Sequence, residues 1–410
     1  MHTSSLYVLL LGEVLDKTTT TLPQSPMTIA LVFNVKAEAS PQAPLTAGQD
    51  QNSPTQQNSN PSNGHRTLGS VSQPPVVDRR VNDMYAEWDT MDTVNAVKDA
   101  IEERHNVVLI DANEAAVQKF LEIRPDFVFN MSEGMHGVSR EAQIPAILEM
   151  LQIPYLGSDP LTLSLCLDKS RTKEILSYHK IPNAAFSVIH SMEEYEDARV
   201  KFPAMVKPLH EGSSKGIYNS CVVHNTEELE KEVGHILTVY HQPALVEEFL
   251  PGREFTVAVL GNGDQARTLP IVEIKFDALP PGMNPIYSYE AKWVWDQSDN
   301  PLNIFECPAK IDSALRSRIE EVCLRAYRVL NCRDWARIDV RLDANGTSNI
   351  IEINPLPGIL PRPEDNSCFP KAARAAGMNY NQLINAVLDH ALTRNILVGR
   401  DVERVVAEVV

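Results

Sequence analysis

The segment Trp335-Ala336-Arg337-Ile338-Asp339-Val340-Arg341-Leu342 alternates apolar and polar residues, passes through Asp343-Ala344-Asn345-Gly346-Thr347-Ser348, and resumes as Asn349-Ile350-Ile351-Glu352-Ile353-Asn354. The period predicts a β-hairpin with Arg337 and Asp339 on one face and Ile338 and Val340 on the other. Glu352 and Asn354 separate from Ile351 and Ile353 in the same way. With Leu342 facing Asn349 across the turn, Asp339 lies opposite Glu352. Two carboxylates opposed on one sheet face repel, and a hard cation such as Mg2+ between them makes the arrangement favourable. Asp339, Glu352 and Asn354 are therefore candidate metal ligands. The plainer reading is a solvated hairpin face, which suits most isolated acidic pairs; the flanking apolar residues argue for a sheet packed on one side.

Lys207 stands at the end of a strand-like run, Met205-Val206-Lys207-Pro208, and is followed by Leu209-His210-Glu211-Gly212-Ser213-Ser214-Lys215-Gly216. Such a loop can bring backbone N–H groups close to an anion, which suits phosphate. It is not the GxxxxGK[ST] of a P-loop, and alone a Gly/Ser turn after a strand is more often only a turn. The stretch Leu245 to Val257, with Glu247-Glu248-Phe249-Leu250 before Pro251-Gly252, reads as strand, turn and strand at a domain junction. Such a junction is a common place for a nucleotide base, although acidic residues equally suit a polar hinge. Lys169, in Leu167-Asp168-Lys169-Ser170-Arg171-Thr172-Lys173, reads in isolation as a solvated helix lysine.

These residues need elements to hold them. A strand at Met27 to Phe33, a helix at Thr90 to Arg104, a strand at Val107 to Ile110, a further helix and a strand at Asp126 to Asn130 predict a small parallel α/β unit. A helix from about Ala142 to Leu151 leads to Ile153-Pro154-Tyr155-Leu156-Gly157-Ser158, where Pro and Gly mark a domain edge. Next come a helix at Lys169 to Tyr178 and the strand carrying Lys207, then strands at Glu254 to Leu260 and Pro270 to Ile274, a helix at Ala314 to Leu330 and the hairpin. The expected units are a leader at 1–26, an N-terminal α/β domain at 27–158 with a disordered insertion at 37–80, a small α+β domain at 159–246, a catalytic domain at 247–396 and a tail at 397–410. The Pro-, Ser-, Asn- and Gln-rich insertion has too little apolar surface to order itself.

Bulk properties narrow the classes. At 410 residues the chain has room for about three domains. Its 43% hydrophobic and 22% charged composition is globular, without an apolar run of membrane-spanning length. A net charge of -17 opposes nucleic-acid binding, and the six cysteines show no CxxC pair or zinc spacing, which points to reduced thiols and the cytoplasm. No nucleic-acid or membrane partner is expected.

Taken in order, the motifs resemble the D-alanine-D-alanine ligases of the ATP-grasp superfamily. They are Pro154-Tyr155-Leu156-Gly157-Ser158, Leu167-Asp168-Lys169, Val206-Lys207-Pro208 with Glu211-Gly212-Ser213-Ser214, Val246-Glu247-Glu248-Phe249 with Gly252-Arg253-Glu254-Phe255-Thr256-Val257, Tyr289-Glu290-Ala291-Lys292, Arg337-Ile338-Asp339, and Glu352-Ile353-Asn354-Pro355-Leu356-Pro357-Gly358. The resemblance implies a multidomain α/β and α+β fold, an N-terminal parallel preATP-grasp domain followed by the two-part ATP-grasp fold. It implies ATP, with Mg2+ or Mn2+, as cofactors, amino-acid-like small molecules as substrates, and a homodimer. Lys169 and Lys207 fall where the family holds nucleotide phosphates, Glu247, Glu248, Phe249 and Leu250 at its adenine hinge, and Glu254 at the ribose. Lys292 corresponds to the lysine that reaches the γ-phosphate from a mobile loop. Asp339, Glu352 and Asn354 correspond to the Mg2+ ligands, and Arg337 and the Gly358 backbone to the oxyanion donors. Ser213, Glu87, Trp293, Ser367 and Cys368 fall in the substrate region.

The departures gather in that region. Tyr85-Ala86-Glu87-Trp88-Asp89-Thr90 replaces the family's usual Ser-x-Glu-x-Glu-Val-Ser, Glu133-Gly134 replaces His-Gly, Pro361-Arg362-Pro363-Glu364-Asp365 lengthens the loop before Ser367, and Trp293 stands where tyrosine is usual. An indole N–H donates but does not accept, so a network of Glu87, Ser213 and residue 293 loses an acceptor. Weak D-alanine use is the resulting expectation, against the simpler reading of Trp293 as a lid aromatic. The expected reaction is ATP-dependent amide formation through an acyl phosphate. The alternatives are the same mechanism on L-amino acids or a specialised acid and amine, or a non-catalytic ATP-binding regulator.

Overall fold

The computed structural model describes residues 25–36, 83, 85–197, 200–296 and 302–409. The expected leader, apart from its last two residues, and the whole of the expected insertion at 37–80 lie outside the described residues. Strand β1 (Thr28–Phe33) is apolar at every position after the first because both faces of its sheet are covered. It pairs in parallel with β2 (Asn106–Asp111) on one side and β3 (Phe127–Met131) on the other. Ile29, Leu31 and Phe33 meet Val94, Val97 and Ile101 of helix α1 (Met91–Glu102), whose apolar residues recur at helical spacing. Ala30 and Val32 meet Phe120 of α2 (Ala116–Ile123) and Leu148 of α3 (Gln143–Met150). The expected parallel α/β unit is present.

Helices α4 (Pro160–Leu167) and α5 (Lys169–Tyr178) follow. An antiparallel sheet in the order β4-β7-β5-β6 comes next, formed by β4 (Phe186–Ile189), β5 (Ala204–Pro208), β6 (Val222–Val223) and β7 (Ala244–Glu248). Helix α6 (Thr226–His235), N-capped by Asn225, closes one face with Leu229 and Val233.

The third sheet runs β11-β10-β8-β12-β13, with β9 at the edge of β8; its members are β8 (Glu254–Leu260), β9 (Arg267–Thr268), β10 (Val272–Ile274), β11 (Phe305–Glu306), β12 (Trp335–Leu342) and β13 (Ser348–Asn354). Helix α7 (Ser313–Val329) lays Leu315, Ile319, Val322 and Cys323 against Phe255, Val257, Ile338 and Val340. Helices α4 and α5, which the sequence groups with the small domain, also place Cys166 and Leu176 in this core. The opposite face changes character along its length. Trp335 and Leu260 are cross-strand partners packed toward the N-terminal unit. Further along, Arg337, Asp339 and Arg341 stand opposite Ala258, Thr256 and Glu254. Helix α8 (Cys368–Ala375) and helix α9 (Tyr380–Val409), which continues through the expected tail at 397–410 as far as Val409, complete the order, and Leu383, Ile384 and Val387 of α9 join the core beside α1.

The hairpin register differs from the expected one in an instructive way. Leu342 faces Ser348 rather than Asn349, so a regular ladder would set Asp339 against Ile351 and turn Glu352 toward the core. A β-bulge between Val340 and Asp339 admits one extra residue on β13 and restores the Asp339–Glu352 pairing.

Candidate active site

The three units converge on a cavity of about 520 Å³. A smaller recess of about 80 Å³ shares Glu87, Ser213, Lys292, Arg337, Glu352 and Gly358 with it. Every candidate site residue from the sequence lines one or the other, Lys169 and Asn354 in the recess and the rest in the cavity.

The floor is the hairpin face. Asp339 lies opposite Glu352, Arg337 donates from Nη2 to Asp339 Oδ2 at 3.0 Å, and Lys169 Nζ stands 3.0 Å from Glu352 Oε1. Burial works against the charge on Glu352, but Lys169, Arg337 and Lys207 outweigh it and hold the carboxyl below its ordinary range. The bulge brings Ile351 to the cavity wall, whereas the alternation expected from the sequence places it with Ile353 in the core. Among the described residues no group of three or more His, Cys, Asp or Glu side chains has the arrangement to cage a metal. Two carboxylates and an amide still suit Mg2+, which takes one or two protein carboxylates and completes its shell with phosphate oxygens and water. Asn354 contributes an amide whose buried Nδ2 has no hydrogen-bond partner.

Lys169 is 6% exposed, so the solvated reading of that residue in isolation does not hold. It opens α5 after the N-cap Asp168, whose side chain accepts from the backbone N–H groups of Ser170 and Arg171, and it donates to the carbonyl of Glu211. One turn on, Lys173 lies buried 2.9 Å from Glu247, which also pairs with Lys207. Burial opposes its charge, but the two lysines hold the Glu247 carboxyl down to about 2 and Glu247 in turn raises Lys207. The sequence reading assigned Lys173 no role; its i, i+4 spacing from Lys169 is the available signal.

The loop after β5 holds consecutive left-handed residues, Ser213 at φ 50° and Ser214 at φ 61°, an uncommon conformation for side-chain-bearing residues. Its turn requires Gly216, where φ is +74° and a Cβ would fall 2.3 Å from Pro208 Cγ. Asp83 accepts the Gly216 N–H at 3.1 Å, and Ser214 donates to the Tyr287 carbonyl at 2.9 Å. Above the loop, Glu290–Trp295 forms a π-helix in place of the expected loop, a form found often at functional sites. It carries Lys292, whose ammonium is drawn down to about 8 by burial and by Arg337, and Trp293, whose indole N–H donates to the Ser213 carbonyl at 3.2 Å. At the far end Ser367 donates to the Gly358 carbonyl at 3.1 Å, and burial pushes the Cys368 thiol up to about 12.

The substrate region holds a feature the sequence does not announce. Glu87 Oε1 accepts from Arg140 at 2.6 Å and from the Gly212 backbone N–H at 2.7 Å, and Arg140 is also bonded to the His210 carbonyl at 2.7 Å. Glu133 and Glu141 flank this pair. Burial and the neighbouring carboxylates raise both, Glu141 to about 8 against the pull of Arg140.

A family model described as D-ala D-ala ligase C-terminus matches residues 174–389. A D-alanine–D-alanine ligase of Bordetella petrii is 33% identical over 285 residues, covering 69% of this chain and 81% of that protein. The chain belongs to the D-alanine–D-alanine ligase family. It is an ATP-grasp enzyme, an ATP-dependent carboxylate–amine ligase. Another relative of this ligase, the uncharacterized protein y4sG of Sinorhizobium fredii, is 39% identical over 267 residues, covering 65% of this chain and 75% of that one. A D-alanine–D-alanine ligase of Bacillus anthracis complexed with ATP superposes with a TM-score of 0.58 at 20% identity over 89% of this chain and 97% of its own. That of Coxiella burnetii does so with a TM-score of 0.61 at 16% identity over 94% and 99%. At these identities the likeness shows the shared fold alone.

Proposed function

We propose that the cavity holds ATP and a divalent cation and joins the carboxylate of one amino-acid-like substrate to the amine of another through an acyl phosphate. The observation that carries this reading is the pairing of Asp339 with Glu352 across the bulged hairpin, each beside a cation, Arg337 for the first and Lys169 for the second. Phosphate with a metal ion brings the same charges in complementary order, metal to carboxylate and phosphate to ammonium.

In this reading Lys169 and Lys207 face the phosphates, the chain from Glu247 to Leu250 borders the base, and Glu254 takes the ribose. Asp339, Glu352 and Asn354 would hold Mg2+, which when bound supplies charge neutralisation between β- and γ-phosphate oxygens. Lys292 steadies the γ-phosphate while a substrate carboxylate oxygen attacks its phosphorus and ADP leaves. The amine then attacks the acyl carbon, Arg337 and the Gly358 N–H stabilise the oxyanion, and phosphate departs with the transferred oxygen. The segment carrying Lys292 and Trp293 roofs the site and keeps water from the acyl phosphate. Ser213, Glu87, Ser367 and Cys368 border the two substrates. D-alanine, named for the Bordetella relative, is the first candidate, and Trp293 is the reason to expect weaker use of it. The family resemblance extends the reading to a cytoplasmic homodimer.

A screen of ADP release with ATP and Mg2+ across single and paired D- and L-amino acids tests the proposal. Release that depends on substrate and on Mg2+ is expected. Saturable ATP binding without stimulated release from any pool would favour a regulatory nucleotide-binding role instead.

A further inference from the structure

Strand period places one more residue on the cavity face of β12, at the position after Arg337 and Asp339. Arg341 is 5% exposed yet lines the cavity, together with Glu254 and with apolar residues such as Met205, Leu250, Ile274 and Ile286. Its cross-strand partner is Glu254. Nη1 donates to Glu254 Oε2 at 2.7 Å and Nη2 to the Pro285 carbonyl at 2.8 Å. The guanidinium lies 4.7 Å from the Phe249 ring centroid and 5.4 Å from that of Phe276. Its Nε, buried in the same place, finds no hydrogen-bond partner among the described residues. A buried N–H left unpaired is costly, and most such groups in folded proteins are satisfied.

We infer that Arg341 and Glu254 form a sugar-recognising pair, in which Arg341 determines selectivity for a ribonucleotide by donating to a ribose hydroxyl oxygen. The inference rests on the nucleotide reading of the cavity and adds a residue to it. The chemistry is complementary. Each hydroxyl of a vicinal diol both donates and accepts, a carboxylate only accepts, and a guanidinium only donates. Side by side, Glu254 and Arg341 match a diol at both polarities, whereas a carboxylate alone matches half of it. The fork geometry also lets Arg341 hold Glu254 with one N–H and address the sugar with another, which a lysine ammonium does less well. A pair that served only to tie β12 to β8 would be indifferent to the sugar.

The test is the dissociation constant of ATP, 2′-deoxy-ATP and 3′-deoxy-ATP, measured by calorimetry with Mg2+ on the full chain for wild type, R341K and R341M. One hydrogen bond from a charged donor predicts that wild type prefers ATP over at least one deoxy analogue by about tenfold or more. Both variants should lower that ratio severalfold, to the part that Glu254 supplies alone. R341K keeps the charge and most of the stem packing, so it carries the test should R341M not fold. A wild type that binds all three nucleotides alike, or an R341K that weakens all three by the same factor, overturns the inference. A wild type that binds none of them overturns the nucleotide reading of the cavity itself.

Discussion

Lys292 is where burial and function pull against each other most directly. Its ammonium is drawn down to about 8 by desolvation and by Arg337, and only the charged form can steady phosphate. Because protonation is lost as pH rises, kcat/KM for ATP should be level on the acid side and fall as pH passes about 8. K292R, which stays charged, should carry activity to higher pH. A pH profile whose alkaline limb is unchanged in K292R would place the titration on another group. Trp293 raises a different question, since its indole N–H is bonded to the Ser213 carbonyl and it lines the same cavity as Glu87. Steady-state comparison of wild type and Trp293→Tyr should show D-alanine use rising selectively in the variant. Efficient D-alanine dimer formation by wild type would sink that expectation. Single residues were only partly legible from sequence. Asp339 and Glu352 could be paired by period, whereas Arg140, which grips Glu87 from 53 positions away, leaves no local trace.

At the scale of elements, the hairpin is both the most legible part and the place where period alone falls short. Alternation along Trp335–Leu342 correctly assigns Arg337 and Asp339 to one face and Ile338 and Val340 to the core. The bulge is invisible to a period-2 reading, because a single extra residue is indistinguishable from a shifted turn. It is nonetheless what keeps Glu352 out of the core and pairs it with Asp339, the arrangement on which the proposed metal site rests. D339N and E352Q should each lower kcat by about a hundredfold or more, the scale for removing one preorganised electrostatic contact, while the cooperative melt is retained. Turnover close to wild type at limiting Mg2+ would show that the hairpin is not the metal site. Helix α5 illustrates the opposite difficulty. Its Lys169 and Lys173 look like solvent-facing charges, and their burial depends on the loop at Glu211 and the strand at Glu247, whose approach no local pattern encodes.

At the scale of the whole molecule, the units are joined by buried polar groups as well as apolar contact. Asp334, which is 0% exposed, accepts from Arg394 of α9 at 2.8 Å, from the Gly157 N–H at 2.8 Å and from Asn262 at 2.9 Å. It thereby ties the segment at Gly157 to the sheet that carries the hairpin and to the last helix. Removing one partner of a buried pair strands the other, so Arg394→Ala should cost about 3–5 kcal/mol of stability in denaturant unfolding. A change within experimental error would mean that water replaces the arginine and that the apolar core alone joins the units. The parallel unit was readable from its alternation of strands and helices; the ion pair between Asp334 and Arg394 was not, since its members lie 60 positions apart.

The central claim is that this fold activates a carboxylate by phosphorylating it. The most direct test supplies the acid substrate identified by the screen with 18O in its carboxylate and follows the released phosphate by mass spectrometry. Attack of the carboxylate oxygen on the γ-phosphorus, followed by displacement by the amine, moves that oxygen into phosphate. The account predicts one 18O per phosphate, formed with ADP in step with the amide. Amide formation with unlabelled phosphate, or with the label appearing in AMP, would contradict it.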